Sequence, residues 1–537
     1  MRLQARNPAA AMAGMAAAAT LATLAIVAAV TLTLSAPAAA QTAAETATSV
    51  LERATRSFEV PGMAVALVHD GEVHAAGEGV TEIGGDEPVD AETLFRIGSV
   101  SKAFTAAALA VLADEGRLGW DDPVIDHLPE FRMHDPWVTR EFTLRDLLTH
   151  RSGLPLGAGD LLIFPDGNAT VAEIVEALRH FEPSSSFRSQ FDYDNLLYVV
   201  AGEVVARVAG TSFQEFLESR VLAPLGMDDC VAADDRIPAD ADTATPHMQV
   251  DGEIVTTPTR LTPVVAAAGG IVCSARSMAN WMSFVLSGGE TPGGERLVSE
   301  AQFRELTGPV TLLGVPSYLA EHAGSYLNAY ALGWGVSTFH GEPMLSHGGG
   351  VWGMTSFIAI LPERGLAAFA TGNLMSAAPR AVVYQIIEEQ LGESAPGNDW
   401  IEIIEALAGD RRSAAEEAVA AAWEARDADS APSLPPDRYT GTYRDEWYGD
   451  VRIYQAEDGT LWFESQRNAP LRGPLEHFQY DTFVARWTDR RLMADAYVTF
   501  TIGPDGEVER IRMKAVSPAT DFSYDFHDLD LRPVDDE

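Results

Sequence analysis

Apolar and polar residues change period several times along this chain, and the changes mark its elements. Residues 42–58 place Val50, Leu51 and Phe58 among polar neighbours, the spacing of an amphipathic helix. Two apolar runs, 62–69 and 72–77, flank Asp70-Gly71, a pair that predicts a hairpin. The stretch from Ser99 to Ala113 is rich in Ala and Leu, lacks Pro and any Gly, and predicts a helix that closes near Gly116. Further helices are expected behind a Thr143 cap, around 171–181, and over 196–209, 212–221 and 277–286. Two strand-like runs, 355–361 and 366–371, are joined by Pro362-Glu363-Arg364-Gly365, and a helix over 379–390 follows. Strands at both ends with helices between them predict an α+β class, one antiparallel sheet flanked by helices.

Beyond Asn398 the pattern changes twice. Residues 398–428 are Ala/Glu-rich and helical, and 427–436 is a Pro/Ser/Asp linker. Short strands then recur at 439–443, 451–454, 461–464, 483–486, 496–502 and 508–513, punctuated by Asp458-Gly459 and Asp505-Gly506. They predict a separate small all-β domain, a barrel or sandwich. The expected organisation is a leader over 1–40, a main domain over 41–395, a helical segment and linker over 396–436, and the β domain over 437–537. That last domain is expected either to shape a cleft or to dimerise.

Composition sharpens this picture. With 47% hydrophobic residues the chain has material for large cores, so a globular protein is expected. Its 37 basic residues face 78 acidic ones, a formal net charge of −41, and such a surface repels nucleic acid and anionic lipid. Arg2 and Arg6, an Ala-rich apolar run to about Leu34, and Ser35-Ala36-Pro37-Ala38-Ala39-Ala40 form a secretory leader pattern with cleavage expected before Gln41. The run is long enough to span a bilayer, but the small-residue site favours cleavage. The expected location is periplasmic or secreted, with no stable membrane insertion after cleavage. The two cysteines, Cys230 and Cys273, could be bridged after export or remain as two buried thiols.

Candidate chemistry centres on Ser99-x-x-Lys102. Residues three apart share a face at the start of a helix, and a buried lysine can take a serine's proton. Lys102 and Lys514 are the only lysines, whereas Arg is common. Arginine stays charged and does not serve as a base, which accounts for a lysine kept here. Two further stretches follow in order, Tyr193-x-Asn195 and His347-x-Gly349, the latter inside Ser346-His347-Gly348-Gly349-Gly350.

These three motifs in this order resemble the serine β-lactamase and penicillin-binding-protein superfamily, most closely its class C-like esterases and D-aminopeptidases. The resemblance spans 45–392 and includes 147–154 and Pro224-Leu225-Gly226-Met227. The region after Pro436 looks like the small lipocalin-like barrel that some of these hydrolases carry. The resemblance implies Ser99 as the acylated nucleophile, with Lys102 and Tyr193 sharing its proton. It also implies Asn195 beside the lysine or the substrate, and an oxyanion hole from the N–H groups of Ser99 and Gly350. Gly348 and Gly349 would let a strand approach substrate closely. No cofactor and no metal is implied.

The chain departs from the superfamily at His347, where many β-lactamases have lysine. A histidine there is cationic only below about pH 6.5, which moves the expected substrate toward esters and D-amino-acid amides or peptides, peptidoglycan fragments included. The alternatives are a β-lactamase, or a penicillin-binding or sensing module that deacylates slowly. The partner expected is a small-molecule or peptide substrate, with a homo-oligomer open. Trp352 is expected as wall or core and Ser101 as structural. An α/β-hydrolase is excluded because no G-x-S-x-G follows His347-Gly348-Gly349-Gly350, and no H-E-x-x-H supports a zinc hydrolase.

Overall fold

The computed structural model describes residues 36–259 and 261–534, so residues 1–35 of the expected leader lie outside the described residues. Helix α1 (Ala36–Ser57) leads into strands β1 (Gly62–His69) and β2 (Glu72–Gly79). Their turn has positive φ at both Asp70 and Gly71, the conformation that Asp-Gly favours. Three strands near the C-terminal end of the main domain, β10 (Glu342–Val351), β11 (Met354–Leu361) and β12 (Leu366–Gly372), complete the centre of the sheet. With β7 (Thr311–Leu312), β8 (Asn328–Tyr330) and β9 (Gly335–Phe339) the order is β2-β1-β12-β11-β10-β9-β8-β7, antiparallel throughout. The first and last strands of the domain, β1 and β12, are therefore neighbours in the sheet.

Alternate side chains of this sheet enter two different cores. Met63, Val65 and Leu67 of β1, with Phe357 and Ala359 of β11, pack against Val50 and Leu51 of α1 and against helix α5 (Ala378–Leu391). Ala64, Ala66 and Val68, with Ile358 and Ile360, face the larger core on the other side. At its centre runs helix α2 (Ser101–Asp114), buried from Ser101 to Leu112 and mostly Ala, Leu, Val and Phe, with Ser101, Lys102 and Thr105 as its buried polar residues. Helix α3 (Leu196–Ala209) lies against it. An added Cβ at Gly202 of α3 would stand 2.6 Å from the Ala267 side chain, so α3 also packs closely on the Ala266–Gly269 turn.

Several boundaries are as the periodicity predicts, among them α3 over 196–209. The helix expected over 212–221 instead breaks at Leu217 into a π turn over Glu218–Leu222. Cys230 and Cys273 are joined by a disulfide, which decides between the two alternatives open from sequence. It ties Cys230 to β6 (Val272–Ser274), which pairs with β3 (Leu94–Arg96) just before the Ser99 turn. Replacing both cysteines by serine opens a loop of sequence separation 43 and is expected to lower stability by about 2–4 kcal/mol. Urea denaturation of wild type and variant checks this.

Helix α6 (Trp400–Ala425) leads to the β domain, eight antiparallel strands from Gly441–Asp445 through to Arg532–Pro533. The last strand pairs with the first, and a bridge from Leu531 to Ile511 brings the sheet ends together in a nearly closed barrel. The barrel grips the loop around 157–168 of the main domain. Asn468 Nδ2 donates to the carbonyls of Leu161 and Pro165 (both 3.0 Å), and Trp447 packs on Phe181.

Candidate active site

Ser99 sits in a 3-10 turn, Gly98–Val100, immediately before α2 rather than within the helix's first turn. The turn is pinned from two sides. Ile97 N donates to Ile271 O (3.0 Å), and Ser356 Oγ of β11 donates to Ile97 O (2.7 Å). Gly98 takes φ +54°, and a Cβ there would stand 2.7 Å from Gly350 N. A Cβ on Gly349 would stand 2.0 Å from Ile97 O and 2.4 Å from Ser356 Oγ. The turn and β10 thus touch backbone to backbone. Gly349→Ala is expected to push the Ser99 turn aside and lower kcat/KM by about 100-fold, since a 1 Å misplacement costs that much. Ester kinetics alongside a thermal melt separate this displacement from unfolding.

Lys102, the second residue of α2, is wholly buried. Its Nζ donates to Ser99 Oγ (3.0 Å), Asn195 Oδ1 (2.7 Å) and Ala268 O (2.7 Å). It also lies over the rings of Tyr193 (4.8 Å) and Tyr198 (5.1 Å). Burial pushes its pKa from 10.5 down to about 7, against the opposing pull of Asp160 and Asp194. An amine poised there can be neutral at neutral pH while touching the serine oxygen. Ser101 faces away and accepts the N–H of Ile271 (3.2 Å).

Tyr193 hydrogen-bonds Ser99, and burial with the nearby Tyr330 holds its phenol well above the ordinary range. It therefore keeps its proton at rest. His150 packs against it, tilted by 30° at 4.1 Å between ring centres, and His150 Nδ1 accepts the N–H of Asp194 (3.1 Å). Asn195 precedes α3 and links two elements: Oδ1 receives Lys102, and Nδ2 donates to Asp160 Oδ2 (2.8 Å).

The third motif is a strand, although three successive glycines disguise it. β10 pairs with β9 only as far as Ser346, so residues 347–351 are held by β11 alone and present an open edge beside the Ser99 turn. Gly350 N lies on that edge, close to Gly98. His347 is a different matter. It is buried, its Nε2 hydrogen-bonds the Tyr330 hydroxyl (2.8 Å), and its Nδ1 lies 2.7 Å from Gly348 O. Burial first, then the Lys102 charge, press its pKa to about 3. The expected cation below pH 6.5 is replaced by a neutral ring at any ordinary pH. Trp352, expected as wall or core, is buried against Phe164.

Several groups around the site carry no sequence motif. Asp160 is buried in a loop, and its pKa is pushed up to about 7 by burial, against hydrogen bonds from Ser523 and Asn195. Asp194 is similarly raised to about 7 by burial and by Asp160. From the barrel, Phe522 stands edge-on to Tyr193 (5.7 Å) and Ser523 Oγ donates to Asp160 Oδ2 (2.8 Å). Asp194 adjoins a motif and was open to inspection; the barrel residues lie more than 300 positions from Tyr193 and no local pattern points to them.

Comparison with known proteins agrees with this geometry. The family model described as "Beta-lactamase" matches residues 47–391, and one described as "Domain of unknown function (DUF3471)" matches 425–533. The unguisins hydrolase ungD' of Aspergillus campestris is 27% identical over 481 residues, covering 85% of this chain and 86% of that one. Penicillin-binding protein 4 of Amycolatopsis lactamdurans is 28% identical, covering 63% and 86%. Among solved structures, the octameric penicillin-binding protein homologue from Pyrococcus abyssi matches with TM-score 0.58 and 22% identity over 87% of this chain and 97% of that one. The D-amino acid amidase from Ochrobactrum anthropi matches with TM-score 0.53 and 25% identity over 64% and 98%. A serine and a buried lysine in contact beneath an open strand edge, on a sheet of this order, complete the assignment: the chain belongs to the beta-lactamase family and is a serine hydrolase.

Proposed function

We propose that this hydrolase acts through an acyl-enzyme on Ser99 and cleaves uncharged-carbonyl substrates, esters or D-amino-acid amides and small peptides. The observation that carries the chemistry is the 3.0 Å contact of Lys102 Nζ with Ser99 Oγ in a site that holds the lysine's pKa near 7. Neutral Lys102 takes the Ser99 proton as Oγ bonds to the substrate carbonyl carbon. The N–H groups of Ser99 and Gly350 receive the developing oxyanion. Tyr193, still a phenol, gives its proton to the leaving group as that bond breaks and recovers one from the Lys102 ammonium. Water then attacks the ester carbonyl carbon with Lys102 again as base. The bond from that carbon to Ser99 Oγ breaks to release the acid, and Oγ takes its proton back from the Lys102 ammonium.

The substrate class follows from His347. A neutral ring bonded to Tyr330 offers no positive charge to a β-lactam carboxylate, and the likeness to D-amino acid amidases supports amides. A panel of nitrocefin, p-nitrophenyl esters and D-alanine anilide tests this. Esters or the anilide are expected to exceed nitrocefin in kcat/KM by at least about tenfold, the cost of one unmet charged contact. Nitrocefin as the best substrate would make the protein a β-lactamase, and a persistent penicilloyl mass adduct would make it a binding module. We also infer export to the periplasm or medium. The Cys230–Cys273 disulfide supports an oxidising compartment. An unprocessed chain in the cytosolic fraction would refute it; a mature N-terminus at Gln41 is expected.

A further inference from the structure

The C-terminal barrel does not merely sit beside the cleft. A hydrogen-bonded line leads from it to the catalytic base. Ser523 Oγ donates to Asp160 Oδ2 (2.8 Å), the same oxygen accepts Asn195 Nδ2 (2.8 Å), and Asn195 Oδ1 accepts Lys102 Nζ (2.7 Å). The segment carrying Ser523 is firmly seated. Asp525 accepts the N–H groups of Gly159 (2.7 Å) and Leu161 (3.0 Å), the residues on either side of Asp160. Tyr524 packs on Phe164 (5.2 Å) and Phe522 on Tyr193 (5.7 Å). Gly157 makes room for this approach, since a Cβ there would meet Phe522 O at 2.8 Å. The other oxygen of Asp160, Oδ1, is buried without a hydrogen-bond partner among the described residues. The charge on this carboxylate therefore depends on two donors, one of them supplied by the barrel.

We propose that Ser523 is a positioning residue of the hydrolase site, through which the C-terminal barrel favours the ionised form of Asp160 and so raises the proton affinity of Lys102. The inference rests on the Ser99–Lys102 reading above. Its physical basis is short-range. A hydroxyl donating to a buried carboxylate favours the anion, and the anion favours the ammonium form of a lysine one residue further along the line. The charged and titratable groups facing Lys102 are Asp160, Asp194, His150, His347, Tyr193 and Tyr198. Those facing Asp160 are Lys102, Asp194, Asp521 and Asp525. Both histidines are held neutral by burial, and Asp521 is the like-charge neighbour that works with burial against the Asp160 anion, so that losing a donor matters.

The test is the pH profile of kcat/KM on a neutral ester, measured on full-length protein. Ser523→Ala lets Asp160 take up a proton more easily, removes its field from Lys102, and lets the lysine become neutral at lower pH. The acid limb is expected to move down by about half a pH unit or more. Ser523→Thr, which keeps a hydroxyl, should return the limb to its wild-type place. Asp160→Asn should move it in the same direction, and adding Ser523→Ala to that variant should move it no further. Profiles that superimpose, a uniform drop at every pH, or additive shifts in the double variant would each overturn the relay. Should Ser523→Ala not fold, Asp160→Asn decides alone, and an unmoved limb overturns the proposal. Ser99→Ala run in parallel separates the two readings. Activity that survives it defeats the nucleophile assignment, whereas a Ser99-dependent enzyme with an unmoved limb defeats only the relay.

Discussion

Ser99→Ala is expected to lower kcat/KM on p-nitrophenyl acetate by about three orders of magnitude or more, leaving the melting temperature within a few degrees of wild type. The two halves of that expectation have separate causes. The activity half follows from the covalent step: without Oγ there is no acyl-enzyme, and the oxyanion N–H groups can only assist water. The stability half follows from packing. Ser99 is partly exposed on the cleft, and the turn around it is held by Ile97, Gly98, Ser356 and Gly349 rather than by its own side chain. Loss of the hydroxyl removes one of three hydrogen bonds from Lys102, and the bonds to Asn195 and Ala268 remain. Fluorophosphonate labelling followed by peptide mapping gives a second readout. Label that persists in Ser99→Ala, with turnover undiminished, would move the nucleophile elsewhere.

How much of this was readable in the sequence depends on whether a signal is local. The Asp70-Gly71 hairpin and the helix over 196–209 are set by turn chemistry and periodicity, and both stand where the letters place them. β10 was harder, because Gly348, Gly349 and Gly350 have low strand propensity and read equally as a turn. Their reason is tertiary: Gly349 must lie against Ile97 O. His347 was legible as a site position but not as a neutral one. Its state is fixed by burial and by Tyr330, a partner 17 residues away on another strand. The cysteine pair was undecidable for the same reason, since spacing alone says nothing about distance in the fold. Asp160, Phe522 and Ser523 were invisible. Each is a loop residue of ordinary type, and its meaning arises only when the barrel closes on the 157–168 loop.

Lys102 carries the second large expectation, and here activity and stability run in opposite senses. Lys102→Met should lose about three orders of magnitude in kcat/KM, because it removes the amine that touches Ser99 Oγ and leaves Tyr193, which burial holds as a phenol. Lys102→Arg should fare no better, because a guanidinium keeps its proton where the amine releases it. In wild type, kcat/KM should rise with pH through about 7 as Lys102 becomes neutral. The stability sign follows from linkage. The folded-state pKa of about 7 lies below the unfolded 10.5, so between those values the unfolded chain binds more protons and folding gains as pH rises. Below pH 7 the buried ammonium is a standing cost, which Lys102→Met removes along with the lysine. Wild type should therefore gain on Lys102→Met by up to about 1.4 kcal/mol for each pH unit crossed between 7 and 10.5. Part of the variant's advantage at low pH is offset by the orphaned Asn195 Oδ1 and Ala268 O, at about 1–3 kcal/mol apiece. That offset is the same at every pH and leaves the slope intact. Urea midpoints of both proteins across this range measure the slope directly, and parallel curves would mean that Lys102 is not held in a depressed state at all. Such a result would withdraw the base role with it, since an amine that keeps its proton to pH 10 has no reason to take one from a serine at pH 7.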